Sequence, residues 1–368
     1  MKTVLLVSGL DIEGKSSFTR QLVCLGSALN ERGMRTFLCS RLLSEDVCVY
    51  KYRASWISRG VIRSARSFFH LVRETGANAA VLLGYPDQFP FLQSDVPDGF
   101  PCFLWAQFSK PPGLHTFRNI VPVALTQKSR DFIRKAGFTG PFPIIPHGVD
   151  TSVYSPLSAA ERSRMRSDMG LACRFVVGTV GAHTSRKRLD IIIEAFSMFS
   201  ERVEHVFLMV KTDRVRSLGG SDLNRIIAGK GVAANSKIIA DDLSDEQMRN
   251  LYGVMDLYVT LSEWEGFCIP VVEAMSCGVP VVTHKVQGPG EIVPYKEYLV
   301  PGGSVFWEGE TALLRVDPEQ AARVMEKISR KPELKKKLKQ MGLDEVRMKY
   351  DMRIVAGLWK DIIEINSL

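Results

Sequence analysis

The chain lacks several features that would settle its class at once. No apolar run approaches the roughly 20 residues needed to span a bilayer, and there is no internal repeat or low-complexity tract. Its seven cysteines include no CxxC pair and no Cys/His spacing of a zinc site, which argues against a disulfide framework and for a reducing compartment. No DxD-type motif stands out, and Asp241 and Asp242 read as a helix N-cap region, so no metal is expected. The opening MKTVLLVSGLD meets Asp11 and Glu13 with no small-residue cleavage site, and reads as a first strand and not a signal peptide. No nucleic-acid-binding module is recognisable. The expectation is a cytoplasmic globular protein.

What is present fits two α/β domains. The 368 residues are 45% hydrophobic and 24% charged, too long for one ordinary α/β layer. The net charge of +8 is uneven: residues 1–150 carry 18 Lys and Arg against 11 Asp and Glu, the rest 30 against 29. A basic N-terminal half suits an anionic partner, either a phosphorylated acceptor or an anionic membrane face. Short apolar strands at 4–7, 36–38, 79–83, 102–105 and 121–125 alternate with helical patterns, the signature of a parallel sheet. Phe18, Leu22, Leu25 and Leu29 recur at helical spacing within 16–32, and Gly33 stops that helix. The segment GPFPIIPHGVD, rich in Pro and Gly, breaks the pattern and sets a boundary near residue 150. The logic then repeats, with strands at 175–180, 205–210, 257–260 and 280–283 and helices at 189–199, 245–255 and 270–277. Lys335–Lys339 reads as a solvated helix face. Expected domains are 1–150, 151–345, and a terminal helix over 346–368 that packs back on the first.

The most informative string is SEWEGFCIPVVEAMSCGVPVV at 262–282. It follows a strand and gives an acidic turn, a helix and a second strand. Glu265 lies on the loop and Glu273 on the helix. Between them, Gly266, Phe267, Cys268 and Ile269 precede a helix N-terminus where Pro270 is tolerated. Free amide groups and the positive end of the helix dipole suit a diphosphate there, and the carboxylates can accept hydrogen bonds from sugar or ribose hydroxyls. Two glutamates at this spacing can also simply decorate a helix entry.

This string resembles the E-G-F-G-x-P-x-x-E-A-M-x-x-G-x-P-V-V motif of retaining family 4 glycosyltransferases, with Cys268 where that family usually has Gly. The resemblance implies an α/β chain of GT-B architecture, two Rossmann-like domains facing a central cleft, and a UDP- or GDP-sugar as donor substrate with no permanently bound cofactor. It implies that Glu273 binds the donor ribose, and that Glu265 and the loop amides hold the transferred sugar. Residues 177–199 resemble the family's strand, loop and helix carrying a basic pair beneath the donor phosphates: Lys187 matches the Lys, while Ala182 stands where the Arg is usual. Arg186 or Arg188 could substitute, although their spacing points them elsewhere. His147, in PHGVD, resembles an interdomain signature with a hinge role. Gln107 stands where a His is expected near the reacting sugar, with His115 close by. The acceptor implied is a sugar, lipid-linked or phosphorylated.

Two further patterns have alternatives. Gly9 to Ser16 satisfy G-x-x-x-x-G-K-S between a strand and a helix, the context of a Walker A loop. That leaves a P-loop phosphotransferase as an alternative, but no Mg²⁺-binding acid follows the next strands. In the glycosyltransferase reading Gly14, Lys15 and Ser16 are cleft-facing candidates. A non-catalytic sugar-nucleotide-binding protein is the other alternative, raised by Ala182. Arg59, Arg63, Arg66 and Arg73 share one helical face opposite Phe68, Phe69 and Val72, which is either a solvated face or a peripheral contact with anionic lipid at the inner membrane face.

Overall fold

The computed structural model describes residues 1–9, 17–40, 49–52, 55–58, 65–85, 88–89, 99–106, 120–285, 287–308 and 311–366. The chain divides into two compact units, Met1–Asp150 with Lys349–Leu368, and Thr151–Met348.

The first unit contains β1 (Thr3–Ser8), α1 (Ser17–Glu31), β2 (Arg35–Ser40), β3 (Val49–Tyr52), β4 (Ser55–Ser58), α2 (Ala65–Thr75), β5 (Ala79–Gly84), β6 (Cys102–Ala106), β7 (Ile120–Val123) and α3 (Gln127–Lys135). Its parallel sheet runs β2-β1-β5-β6-β7, with β3 and β4 as a separate antiparallel pair. Every residue of β1 and β5 is buried, as expected of central parallel strands covered on both faces. The repeat Phe18, Leu22, Leu25 and Leu29 is the buried stripe of α1, and Gly33 takes φ 80°, the left-handed turn that ends it. On α2 Phe68 is buried while Arg66 and Arg73 are exposed, the ordinary division of an amphipathic helix. Arg59 and Arg63 lie outside the described residues.

The second unit contains α4 (Ala159–Asp168), β8 (Phe175–Val180), α5 (Leu189–Ser200), β9 (Val206–Lys211), α6 (Leu223–Gly229), β10 (Ser236–Ile239), α7 (Asp245–Val254), β11 (Leu257–Val259), α8 (Ile269–Ser276), β12 (Val281–Val282), α9 (Gln287–Ile292), the hairpin β13 (Ser304–Glu308) and β14 (Thr311–Arg315), α10 (Pro318–Ser329) and α11 (Pro332–Glu345). Its parallel sheet runs β10-β9-β8-β11-β12. The strand order therefore reverses direction between β8 and β11, the place where open α/β sheets bind ligands at their carboxyl ends.

Several sequence expectations need correction. The helix cap is not at Asp241 or Asp242: Ser244 caps α7 in a reciprocal box with Gln247. Lys335 is not part of a solvated face, because its Nζ turns inward to Asp256, 2.9 Å away. Burial alone would raise the Asp256 carboxyl, but Lys335, the Val176 amide, Arg166 and Arg162 together hold it below the usual range. Helices α4 and α6, strand β10 and the two hairpins are not marked by any regular apolar period in the sequence. Arg166 is the only buried residue of α4, so that helix carries no apolar stripe to reveal it.

Around the Pro-rich stretch before residue 150 the first unit is well packed. Trp105 donates from Nε1 to the Ile145 carbonyl at 2.8 Å. Its ring meets edge-on those of His147, with centroids 4.5 Å apart, and Trp359, 5.2 Å apart, in the C-terminal helix Met352–Asn366. His147 is fully buried, and burial pushes its imidazole down from 6.5 to about 3. Unfolded, it would titrate near its ordinary value. Above pH 6.5 neither state binds this proton and the stability is complete. Between pH 6.5 and 3 only the unfolded state binds it, so this group removes about 1.4 kcal/mol of stability per unit of acidification. Thermal unfolding of His147→Gln across that window should show a shallower acid dependence than the native chain; parallel curves would contradict the buried neutral imidazole.

Candidate functional site

The loops after β8 and β11 meet where the strand order reverses. They are stitched together through the backbone: the Glu263 amide donates to the Arg186 carbonyl at 2.9 Å, and Arg186 Nη1 donates to the Trp264 carbonyl at 2.6 Å. The Tyr258 hydroxyl donates to the Val180 carbonyl at 3.2 Å, joining the two strand ends beneath. On this base Glu265, 9% exposed, is clasped by two cations. Lys187 Nζ pairs with its Oε1, and Arg186 Nη1 lies 2.9 Å from its Oε2. Burial opposes all charge here. Even so, Lys187 and Arg186 hold the Glu265 carboxyl below the usual range, and Glu265 holds Lys187 above its own. The cluster is thus fully ionised near neutral pH and carries one net positive charge.

The backbone explains how consecutive cations separate. Arg188 adopts the left-handed conformation, φ 48° and ψ 46°. There the chain turns, so that Lys187 reaches Glu265 while Arg188 pairs with Glu263 and Asp190. Spacing alone sends both arginines elsewhere; in the structure Arg186 stands beside Lys187 at Glu265, and Arg188 turns to Glu263 and Asp190. Ala182 is exposed, and Arg186 supplies a second cation beside Lys187.

On the other side of the loop, Gly266, Phe267 and Cys268 are buried and lead into α8, with Ile269 and Pro270 in its first turn. Pro270 has no N–H and the Val271 amide donates to the Cys268 carbonyl at 3.0 Å, so what this helix start offers is chiefly its dipole, whose positive end stands next to the cationic cluster. Glu273, one helical turn on, accepts a 2.7 Å hydrogen bond at Oε2 from the Tyr252 hydroxyl. Burial, then the Glu273 charge, raises Tyr252 well above its ordinary value, so it remains a donor. Gly288 in α9 packs against the same loop: its amide donates to the Glu265 carbonyl at 3.1 Å, and a Cβ there would lie 2.5 Å from the Gly266 carbonyl oxygen. Tyr252 and Gly288 escaped the sequence reading, since neither carries a local pattern and both are brought in by the fold.

Cys268 has φ 75°, a conformation that costs a residue with a side chain about 1–2 kcal/mol. Burial and the neighbouring Glu265 charge push its thiol up to about 12, so it is an inert thiol and not a nucleophile. Of the remaining candidates, Gly14, Lys15, Ser16, Gln107 and His115 lie outside the described residues. Gly9 is described: a Cβ there would collide with Gln88, whose Oε1 accepts from the Tyr85 amide at 2.7 Å. That close approach is a packing reason for glycine at the end of β1, independent of any phosphate. Among the described residues no cluster of His, Cys, Asp and Glu could hold a metal ion, and no helix is long and apolar enough to cross a membrane.

Residues 172–343 match the family described as glycosyl transferases group 1. Mannosylfructose-phosphate synthase of Agrobacterium fabrum is 29% identical over 156 residues, covering 38% of this chain and 31% of that protein. A GDP-mannose-dependent alpha-(1-6)-phosphatidylinositol monomannoside mannosyltransferase of Mycolicibacterium smegmatis is 29% identical over 192 residues, 48% of each chain. The chain spans less than half the length of these curated relatives. Sucrose-phosphate synthase from Thermosynechococcus elongatus superposes with a TM-score of 0.77 at 14% identity, over 99% of both chains. HepE of Anabaena, in complex with UDP and glucose, gives 0.71 at 17% identity over 99% of this chain and 100% of that one. At these identities the likeness is one of fold, two Rossmann-like units of GT-B type.

Strain at Cys268 gives a stability ordering. Cys268→Gly and Cys268→Ala both remove the thiol, but only glycine relieves the left-handed backbone. The glycine variant should be the more stable by about 0.5–1 kcal/mol in denaturant unfolding, after its greater unfolded-state entropy is deducted. An alanine variant of equal or greater stability would contradict the strained conformation.

Proposed function

We propose, from the match of residues 172–343 to the glycosyl transferases group 1, that the protein moves a hexosyl group from a nucleoside diphosphate sugar to an acceptor, with retention of anomeric configuration. One observation carries the reading: the buried Glu265 carboxylate clasped by Lys187 and Arg186 beside the start of α8, where the strand order reverses. The relatives support the substrate class by their names, one being GDP-mannose-dependent and one structure holding UDP.

In this reading the donor diphosphate lies against Lys187, Arg186 and the positive end of α8. Glu265 orients both cations and accepts hydrogen bonds from sugar hydroxyls, and Glu273, held by Tyr252, accepts from the ribose. As the bond from the anomeric carbon to the diphosphate breaks, negative charge gathers on the leaving oxygen. Lys187 and Arg186 then gain more from the departing group than from the intact donor, and that difference lowers the barrier. Arg186 fills the electrostatic role of the cation missing at Ala182, which favours a working transferase over a non-catalytic binder. The basic N-terminal unit would hold the acceptor, a sugar in lipid-linked or phosphorylated form, with Lys15, Ser16, Gln107 and His115 as contact candidates and α2 as a contact with anionic lipid.

A thermal-shift panel of UDP-, GDP- and ADP-sugars tests the proposal. A donor at 100 times its dissociation constant adds about 2.7 kcal/mol, or about 5–10 °C for a unit of this size. Glu273→Ala should abolish that shift, and the stabilising donor should be turned over with a suitable acceptor. Stabilisation by Mg²⁺-ATP that is lost in Lys15→Ala and kept in Glu273→Ala would instead establish the phosphotransferase, and donor binding with neither transfer nor hydrolysis would establish the binder.

A further inference from the structure

A second cavity, of about 740 Å³, opens beside the donor cluster within the same unit. It lies between the loop after β8 and the loop after β9, with Ile226 of α6 on one wall and the Arg188–Glu263 pair on another. Lys187 and Arg186 serve Glu265, whereas Arg188 serves Glu263 and lines this cavity. The residues assigned to the diphosphate, sugar and ribose, Lys187, Arg186, Glu265 and Glu273, are not among its lining.

Its chemistry is specific. His183 lines it, is only 7% exposed, and has its buried Nδ1 without a hydrogen-bond partner, although its amide is fixed by Asp213 Oδ1 at 2.7 Å. A buried imidazole nitrogen with no partner carries a desolvation cost, which a ligand would relieve on a rotation of the His183 ring that turns Nδ1 to the cavity. The charges on the lining balance, with Arg188, Arg214 and Arg315 against Asp190, Asp213 and Glu263. An anion would have to compete with carboxylates for the arginines, since Arg188 is paired with Asp190 and Glu263 and Arg214 with Asp213. A neutral ligand bearing many hydroxyls meets no such penalty, because each hydroxyl both donates and accepts. It can therefore satisfy carboxylates, guanidinium groups and either tautomer of the imidazole. Leu189 and Ile226 add apolar surface suited to the C–H face of a sugar ring.

We propose that this cavity is a second saccharide subsite, taking an uncharged glycan unit, and that His183 is one of its binding residues. It rests on the transferase reading only for the glycan's identity as the already assembled part of the acceptor. Because a ligand there would bear on Arg188 and Glu263, it would touch the same two loops that carry Lys187 and Glu265.

Saturation-transfer NMR on the full chain tests this, using methyl α-D-mannoside, methyl α-D-glucoside and an α-linked mannobiose, with UDP or GDP in excess to fill the donor site. At least one saccharide should bind despite the nucleotide. Its dissociation constant should rise at least fivefold in His183→Phe, which keeps a ring and removes both nitrogens. The same rise is expected in Ser221→Trp, which obstructs the cavity from an exposed loop without disturbing the core. Nucleotide affinity, measured separately, should stay within twofold, so that failure here is distinct from failure of the donor assignment. Absence of binding by all three saccharides, binding indifferent to both substitutions, or displacement by inorganic phosphate would overturn the proposal.

Discussion

A buried carboxylate cannot remain charged alone, and much of the candidate site follows from how Glu265 is compensated. Removing an ion from water costs several kcal/mol even after relaxation, and the cost is offset only by close, well-aligned partners. Lys187 and Arg186 are those partners, drawn from the loop after β8 while Glu265 comes from the loop after β11. The pairing thereby fixes two loops that are 78 residues apart in the chain. Taking away Lys187 would leave Glu265 only the more exposed Arg186 as its partner and so weaken that compensation.

The remaining features support that contact. Arg188 turns left-handed so that adjacent cations diverge, Cys268 turns left-handed so that α8 can begin at once, and Gly288 lets α9 press on the loop from behind. Strain of this kind survives only where surrounding structure over-determines it. Here backbone hydrogen bonds from Glu263 and Gly288 supply that restraint. The outcome is a cationic cluster already assembled before any ligand arrives, which spares the reorganisation a flexible site would need.

Legibility in the sequence followed physical locality. Strands such as Phe175–Val180 and helices such as α1 were readable because they are long, apolar on a regular period and punctuated by glycine. The Glu265–Glu273 string was readable because loop, helix and strand are contiguous. What escaped was set by tertiary contact: the polar helix α4, the half-exposed edge strand β10, Tyr252 beneath Glu273, and the inward turn of Lys335. Arg186 is the clearest case. Spacing along an assumed regular path sends it away from the site, and one left-handed residue together with a 3₁₀ turn brings it back. His183 was invisible for the same reason, since only the fold shows that its nitrogen is buried without a partner.

The central claim is that Arg186 and Lys187 together form the diphosphate-binding charge. Calorimetric titration of UDP and GDP into the native chain and Arg186→Ala tests it most directly. Loss of a charge-assisted contact of about 1.5–3 kcal/mol predicts that the nucleotide which binds will do so about 10- to 100-fold more weakly in the variant, with the fold intact. Unchanged affinity in Arg186→Ala would contradict the account.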